Sequence, residues 1–280
     1  MRRSRRGLKL IGWLALVIFG LVYLFPLYWL VNTSLKGRAE LFGSTPTLVA
    51  QNPTLDPYVT VLFDRGFVGL VRNSLVVCSL TVLLTLAISL AITYPITRLP
   101  MSRSVRVWVL NWALSLRFFP PIAVVVPYFV IVRTVGLYNN LLALVFVYSL
   151  VNLPFGIWML KGFLSEVPQE VEEAAYVDGA TRAAAFRRVL LPLIAPGLLA
   201  SAVIIFAFSW SEFLFALILT ATRDAQTFPV GVQGLVTQFE IIWNEMAAAG
   251  VIAIAVPLVL MLAARRYVLA GLTFGVIREK

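Results

Sequence analysis

Six long runs without an acidic or basic residue constrain this chain more than any other feature, although one arginine interrupts the third. Each run holds about 20 residues or more, enough to cross a hydrocarbon core of ~30 Å as a helix. Spans in lipid are helical because no water is present there to bond an open backbone. The runs lie between Lys9 and Lys36, Arg72 and Arg98, Arg106 and Arg133 (with Arg117 inside), Arg133 and Lys161, Arg188 and Glu212, and Glu245 and Arg265. The sequence therefore predicts an all-α integral membrane protein with six transmembrane helices in a single domain, residues 1–280.

The composition excludes several classes of protein. The chain is 60% hydrophobic with a mean hydropathy of +0.92, which is outside the range of soluble domains. Its net charge of +10 does not indicate nucleic acid, because the basic residues flank the apolar runs. The chain has no histidine, which excludes histidine metal sites, catalytic triads and histidine proton relays. We therefore predict no metal and no bound cofactor, and we expect the lone Cys78 to be a small buried apolar residue.

The distribution of lysine and arginine predicts the orientation of the spans. Loops on one side carry most of the basic residues, and by the positive-inside rule this side is the cytoplasm. Both termini are then cytoplasmic, and the Arg-rich start precedes an uncleaved first helix because its apolar run is too long for a signal peptide. The rich loops contain Arg2, Arg3, Arg5, Arg6, Lys9, Arg98, Arg103, Arg106, Lys161, Arg182, Arg187, Arg188, Arg265, Arg266, Arg278 and Lys280.

Prolines interrupt several runs, and the pair Pro120 and Pro121 in the third run is the strongest hinge candidate. A proline removes a backbone donor and kinks its helix. The pair either shapes the helix for packing or serves as a hinge in a moving protein.

A charged segment, residues 161–192, separates the fourth and fifth runs. Ser165 is a candidate N-cap for a short acidic helix that begins near Pro168, and Asp178-Gly179 is a turn signal. Thr181 can cap a second, basic helix that continues to Leu190. From composition alone this segment is either an ordinary solvated loop or a helix that another protein approaches closely.

The spacing of residues within this segment decides between the two. It reads Glu-Ala-Ala, three residues, Gly, then an aliphatic residue and Leu-Pro, with Val189 where isoleucine is usual. The pattern resembles the EAA loop of ABC importer permeases, and residues 161–192 are called the EAA segment below. The resemblance implies a type I importer permease fold, with the EAA segment as a cytoplasmic coupling helix that docks on a separate ATPase. The implied coupling residues are Glu173, Ala174, Ala175, Asp178, Gly179, Ala180 and Pro192.

Further segments are similar to permeases of the maltose-type carbohydrate importers. They are residues 117–121, 152–158, 209–213 (with serine where asparagine is usual) and 271–275. This resemblance implies a permease subunit that moves a di- or oligosaccharide across a bacterial or archaeal cytoplasmic membrane. The implied partners are a second permease, two ATP-binding cassette subunits that hold ATP and Mg, an extracytoplasmic sugar-binding protein and membrane lipid. The chain itself lacks a phosphate-binding Gly-Lys motif, so we predict no enzyme activity and no nucleotide site.

Polar residues within the spans are candidates for the translocation pathway, because charges at membrane depth face a bundle interior or a watery path. The alternative is that they only satisfy the packing of the helices. By helix rise, Arg117 lies near mid-membrane and Glu212 near the outer face, so we do not expect them to pair. The candidates are Arg117, Asn152, Ser209, Trp210 and Glu212.

The connection between the fifth and sixth spans, residues 221–244, is long enough to suggest a functional loop. The resemblance implies that it reaches the sugar-binding protein through Phe228, Gly231, Gln233 and Gly234. Alternatively its aromatic residues only anchor at the headgroups.

The other function classes fit less well. A secondary transporter or channel needs intramembrane carboxylates for ion coupling, and Glu212 is the one candidate. A membrane-embedded enzyme is disfavoured by the absence of histidine.

Overall fold

The computed structural model describes residues 2–43, 45–236 and 242–273, and the side chains of these ranges between residues 12 and 266. The described residues form helices and no β-strand, which confirms the predicted all-α class. The longer helices are α1 (Arg2–Ser34), α2 (Phe67–Arg98), α3 (Arg103–Ser115), α4 (Pro121–Thr134), α5 (Leu141–Glu166), α6 (Glu170–Val177), α7 (Leu191–Trp210) and α8 (Trp243–Thr273). Shorter helical turns are Arg38–Leu41, Asp56–Val59, Thr60–Asp64, Leu116–Phe118, Arg182–Ala185, Phe186–Leu190, Leu214–Leu219 and Phe228–Gln233.

Five stretches of the described chain are long and apolar enough to span a membrane as continuous helices. They are Gly12–Ser34, Phe67–Arg98, Leu141–Glu166, Arg182–Trp210 and Trp243–Arg266. The third predicted span is instead a broken pair, Arg103–Phe118 and Pro121–Thr134, bent by 100°. Counted as one span, this pair completes the predicted six.

The break falls at the predicted proline pair, and the backbone explains it. Pro121 occupies the first turn of α4, where its missing N–H costs no hydrogen bond. The residues before each proline, Phe119 and Pro120, are extended with ψ of 122° and 136°. A residue that precedes proline is pushed out of the helical region, so the two helices cannot join smoothly.

Backbone contacts divide the chain into two units, whereas the sequence predicts one domain. The first unit is Met1–Val68 with Val232–Ala255, and the second is Gly69–Gly231 with Val256–Lys280. The boundaries fall inside α2 and α8, so both helices contribute to both units.

In the first unit, side chains near the C-terminal end of α1 hold the loop that follows it. Asn32 donates to the carbonyl of Leu48 (3.0 Å) and accepts from the amide of Ala50 (2.8 Å). The buried Lys36 donates to the carbonyl of Thr47 (2.5 Å), and its ammonium lies 5.1 Å from the centre of the Trp29 ring.

The same unit contains an acidic residue within this loop and an ion pair outside it. Glu40 accepts a hydrogen bond from the Thr47 hydroxyl (2.6 Å) and another from the amide of Gln51 (3.1 Å). Arg65 pairs with Glu245 at 2.9 Å. A charge left alone in a partly buried site is costly, and these bonds compensate the charges.

The core of the second unit is built on α5. Apolar residues of α2, α4, α5 and the turn Leu214–Leu219 form one buried cluster around Leu144 and Tyr148. Further along α5, Gly156 faces Thr85 and Ser89 of α2. These two belong to a stripe of buried hydroxyl residues on α2 that also contains Thr81 and Thr93. A Cβ on Gly156 would overlap the Ser89 hydroxyl, so the two helices approach closely because this residue is glycine.

Met1, residues 274–280, which include the end of the terminal motif, and residues 237–241 of the connection between the fifth and sixth spans lie outside the described residues.

Candidate functional site

The acidic helix predicted within the EAA segment is α6, but its start differs from the prediction. Ser165 is not its N-cap, because α5 continues to Glu166 and buries Leu164 in its last turns. The chain then becomes extended at Val167, before Pro168, as the residue before a proline prefers. Glu170, Glu172 and Glu173 fall in the first turn of α6, where the helix dipole favours carboxylates.

The predicted turn at Gly179 is present and has the geometry of a Schellman motif. Gly179 has a φ of +82°, a conformation that favours glycine. The amide of Ala180 donates to the carbonyl of Ala175 (2.9 Å), and the amide of Gly179 donates to that of Tyr176 (3.0 Å). These two bonds satisfy carbonyls that the helix end leaves open, so the turn is sharp and fully bonded.

The second helix of the segment leads into the fifth span with a local irregularity. Thr181 caps it as predicted, because its hydroxyl accepts from the amide of Ala184 (3.3 Å). The helix is α-helical over Arg182–Ala185 and π-helical over Phe186–Leu190. Pro192 has no N–H to donate to a preceding carbonyl, and it stands just after the widened turn.

A buried ion pair attaches α6 to the C-terminal end of α2. The Nε atom of Arg98 lies 2.5 Å from a carboxylate oxygen of Glu172, and the two side chains are only 6% and 5% exposed. Arg98 also donates to the carbonyl of Val167 (2.8 Å), and Gln169 donates to the carbonyl of Thr97 (3.2 Å). These bonds cross from α2 to both the start of the EAA segment and its first helix.

The neighbouring face of α6 is open. Successive residues of a helix point about 100° apart, so Glu173 points away when Glu172 points inward. Glu173 and Ala174 are exposed, and Val177 is 88% exposed. Glu173, Ala174 and Val177 thus lie on a face of α6 that the rest of the chain does not cover.

Three of the candidate pathway residues are buried in the second unit instead of lining an open face. Asn152 donates to the carbonyl of Tyr148 (2.9 Å) and lies 3.4 Å from the Ser209 hydroxyl, which itself donates to Ile205 (2.8 Å). Trp210 is 3% exposed and stacks on other rings. In this structure they lie within the helix packing, and the Asn152 amide and the Ser209 hydroxyl both donate hydrogen bonds inside the bundle.

The two charged candidates behave differently from each other. Glu212 accepts from the amides of Phe215 (3.0 Å) and Ala216 (3.3 Å), so it caps the turn Leu214–Leu219. Arg117 is exposed, and its guanidinium lies 5.5 Å from the centre of the Phe155 ring. Within the described part of the chain no ion pair joins Arg117 to Glu212, as expected from their depths.

Arg117 lies in an aromatic surface at the break between α3 and α4. Phe118 is 85% exposed, and Phe119 and Phe208 are also exposed. The ring of Phe155 meets that of Phe208 edge to face at 5.4 Å. Phe155 is in the middle of α5, about 20 Å from the helix start at 1.5 Å per residue, which places the surface at membrane depth.

The start of the connection between the fifth and sixth spans, residues 221–244, is held by amide side chains. Asn139 accepts from the amides of Ala221 (2.8 Å) and Thr222 (2.9 Å). Asn73 donates to the carbonyls of Asp224 (2.9 Å) and Gln226 (3.0 Å). This part of the connection is therefore a fixed platform.

Among the residues expected to contact a binding protein, Phe228 and Gly231 are buried, and Phe228 stacks on Trp210 at 5.8 Å. An enclosed ring cannot touch another protein, so in this structure Phe228 supports the platform. Gln233 and Gly234 are exposed.

The sequence does not reveal the pairing of Arg98 with Glu172. It identifies Arg98 only as one of the basic residues that orient the chain, and Glu172 only as part of a short acidic helix. The available signal was the adjacency of two glutamates on one short helix, which forces them to point in different directions.

Comparison with known proteins gives the family. Residues 83–273 match the family model described as "Binding-protein-dependent transport system inner membrane component". The chain is 34% identical to the trehalose/maltose transport system permease protein MalG of Thermococcus litoralis, with 98% of this chain and 97% of the relative covered. It is also 34% identical to the diacetylchitobiose uptake system permease protein DasC of Streptomyces coelicolor, with 99% and 100% covered.

A solved structure has the same fold. It is one chain of a bacterial ABC transporter involved in the import of the acidic polysaccharide alginate, with a TM-score of 0.78, 19% identity, and 94% of this chain and 97% of that chain covered. The family match spans α5, the EAA segment and α7, and the relatives match along nearly their whole length. The chain therefore belongs to the family of binding-protein-dependent transport system inner membrane components.

Proposed function

We propose that this chain is the permease subunit of an ABC importer that moves a carbohydrate, a di- or oligosaccharide, across a bacterial or archaeal cytoplasmic membrane. The observation that carries the proposal is α6, a short acidic helix between two spans with Glu173, Ala174 and Val177 exposed. Both termini are cytoplasmic in this arrangement, on the same side as the EAA segment.

The partner of α6 is an ATP-binding cassette subunit with a basic cleft. Small alanine side chains allow close approach, and Glu173 supplies the charge that such a cleft would bind. Two such subunits, which hold ATP and Mg, would drive transport for this chain and a second permease. The turn at Asp178, Gly179 and Ala180 then fixes the direction in which force enters α7 through Pro192.

The substrate class is supported by the relatives, whose names give trehalose/maltose and diacetylchitobiose as the transported compounds. All of these are carbohydrates of two or more rings, so the common property is a short saccharide. An extracytoplasmic sugar-binding protein would deliver it to the connection between the fifth and sixth spans, here called the outer connection, where Gln233 and Gly234 are exposed.

The second permease is supported by a charged surface that this chain leaves open. The face around Arg117 is exposed, and a charge at membrane depth is costly against lipid. We assign this face to the translocation pathway, with Arg117 bonding to hydroxyl groups of the sugar. Asn152, Ser209 and Trp210 support it from behind.

The test is Glu173→Lys in the chain expressed together with its partner subunits. The reversed charge meets the basic cleft, so we expect the affinity for the ATPase to fall at least about tenfold, about 1.4 kcal/mol. The ATPase should then be lost on purification, and sugar uptake should fall with it. Asp224→Lys makes the same reversal on the outer connection and should retain the ATPase.

Normal ATPase retention together with normal uptake in Glu173→Lys would overturn the coupling assignment. Uptake by the chain alone, without any ATPase, would support a secondary transporter or channel instead.

A further inference from the structure

We infer that Arg98 and Glu172 are positioning residues: their ion pair holds the coupling helix on α2, so that movement at the ATPase reaches three spans together. This inference rests on the proposed function, because it takes α6 as the site where force enters. It assigns the two adjacent glutamates different tasks, with Glu172 facing the membrane domain and Glu173 facing the partner.

The chain connectivity shows why such a link is needed. The EAA segment is continuous with α5 at one end and with α7 at the other, so a movement of the segment displaces both helices directly. Helix α2 has no such connection, since about 70 residues separate Arg98 from Glu172. Contacts between side chains and backbone must therefore carry any displacement of α6 into α2.

The contacts at this junction are of the kind that carry displacement. Arg98 donates both to the Glu172 carboxylate and to the carbonyl of Val167. It therefore binds α6 and the extended stretch between α5 and α6. Its planar guanidinium fixes direction as well as distance. Gln169 adds a bond to Thr97, and the Tyr94 ring meets the Phe186 ring edge to face at 5.2 Å.

The burial of the pair indicates that it stays formed while the outer face of α6 is engaged. Both side chains are more than nine-tenths buried, whereas Glu173 one residue later is exposed. A partner can therefore bind Glu173 without competing for Glu172. Removing one member of a buried pair leaves the other charge without compensation, so the junction opens.

Helix α2 matters for transport because of what it packs against. Its buried hydroxyl stripe contacts α5 at Gly156. The preceding residue, Phe155, makes a cation–π contact with the guanidinium of Arg117. Displacement of α2 relative to α5 would change this contact. The ion pair thus connects the ATPase surface with the proposed pathway surface through α2.

The first experiment measures the junction itself, in the full chain without the ATPase. A spin label at Val177→Cys in a Cys78→Ala background reports the mobility of α6. Glu172→Gln should raise this mobility several-fold, because the neutral amide leaves Arg98 uncompensated. Glu170→Gln removes a carboxylate from the same helical turn, but Glu170 is exposed, so mobility should stay at the starting level.

The second experiment measures sugar transported per ATP hydrolysed in the assembled complex. Glu172→Gln should keep the ATPase bound and hydrolysis active, while transport per ATP falls about tenfold. In a Cys78→Ala background, Arg98→Cys with Glu172→Cys should show the same loss. A short bis-methanethiosulfonate reagent, which forms a disulfide with each cysteine and releases methanesulfinate, should restore coupling. Both positions line a pocket of about 100 Å³.

Three results would overturn the inference: unchanged label mobility in Glu172→Gln, unchanged transport per ATP, or no recovery on cross-linking. Its failure is distinct from failure of the proposed function, which is decided by ATPase retention in Glu173→Lys.

Discussion

Two helices of this chain, α1 and α5, are nearly equal in hydropathy and opposite in burial. The spanning windows have mean hydropathies of 2.3 and 1.9. Nothing of the α1 window is buried inside the chain, whereas 61% of the α5 window is. Hydropathy therefore shows which segments enter a membrane, and it does not show which of them pack against the rest of the chain.

The difference is in the residue types on the helix surfaces. Helix α5 buries Ser149, Asn152 and Gly156, which are small or can bond across helices. The exposed window of α1 carries large side chains such as Trp13, Phe19 and Tyr23. Lipid is as apolar as leucine, so membrane helices associate through small residues and polar contacts, not through hydrophobicity.

The largest expected difference between the two helices comes from making the same substitution in both, Gly156→Leu in α5 and Gly20→Leu in α1. In α5 the new side chain overlaps Ser89 and comes within 3.2 Å of Thr85, and both neighbours are buried. We expect a loss of about 1–3 kcal/mol or more from overpacking. Nothing lies within 4 Å of a Cβ on Gly20, so the substitution in α1 should leave stability unchanged.

Thermal unfolding of the purified chain in detergent, followed by size-exclusion chromatography, measures both variants. Equal midpoints for the two would contradict the claim that close approach of α2 and α5 depends on glycine.

The sequence predicted the spans well because a membrane imposes a simple rule on length and charge. It predicted the EAA turn because Asp178-Gly179 and Thr181 are local signals that act within a few residues. It could not predict Ser165 correctly, since tertiary burial of Leu164 extends α5 beyond the candidate cap. The roles of Asn152, Ser209 and Glu212 depend on contacts that no local pattern specifies.

Depth in the membrane and exposure are also separate properties, and this limits prediction of the pathway. Arg117 and Asn152 are both polar residues within spans, yet Arg117 is exposed and Asn152 is buried. A sequence gives the depth of each through helix rise, but not the direction of each side chain around a bundle. The broken helix at Pro120 adds to the difficulty, because a 100° bend redirects everything after it.

A second pair of variants, Asn152→Ala and Arg117→Gln, separates these two kinds of residue. Asn152→Ala removes hydrogen bonds inside the bundle, so it should lower stability by roughly 0.6 kcal/mol, the average for such bonds in membrane proteins. Transport per folded protein should change little. Arg117→Gln should leave the unfolding midpoint in place and lower the transport rate about tenfold, about 1.4 kcal/mol.

Unfolding midpoints and sugar uptake, both normalised to folded protein, distinguish the two effects. If Arg117→Gln lowers the midpoint without lowering transport, Arg117 is a packing residue and the pathway face is wrongly assigned.

The smallest expected effect concerns the contacts that hold the loop after the C-terminal end of α1. The hydrogen bond from the Thr47 side chain keeps the pKa of the Glu40 carboxyl below its ordinary value of 4.5, and the backbone amide of Gln51 adds to this. A carboxyl whose pKa is lowered in the folded state stabilises that state above the ordinary pKa. The contribution is lost as the pH falls through the lowered value.

A spin label at Leu48→Cys, in a Cys78→Ala background, should therefore gain mobility between about pH 6 and about pH 3, which bracket the carboxyl pKa. Thr47→Val removes the principal bond, so the label should already be more mobile at neutral pH and its transition should move upward toward the ordinary pKa. A label at Leu55, exposed in the same unit, should show neither change. If the Leu48 label is equally mobile at both pH values, Glu40 does not hold this loop, and the loop depends instead on Asn32, Tyr28 and Lys36, which donate to the carbonyls of Leu48 and Thr47.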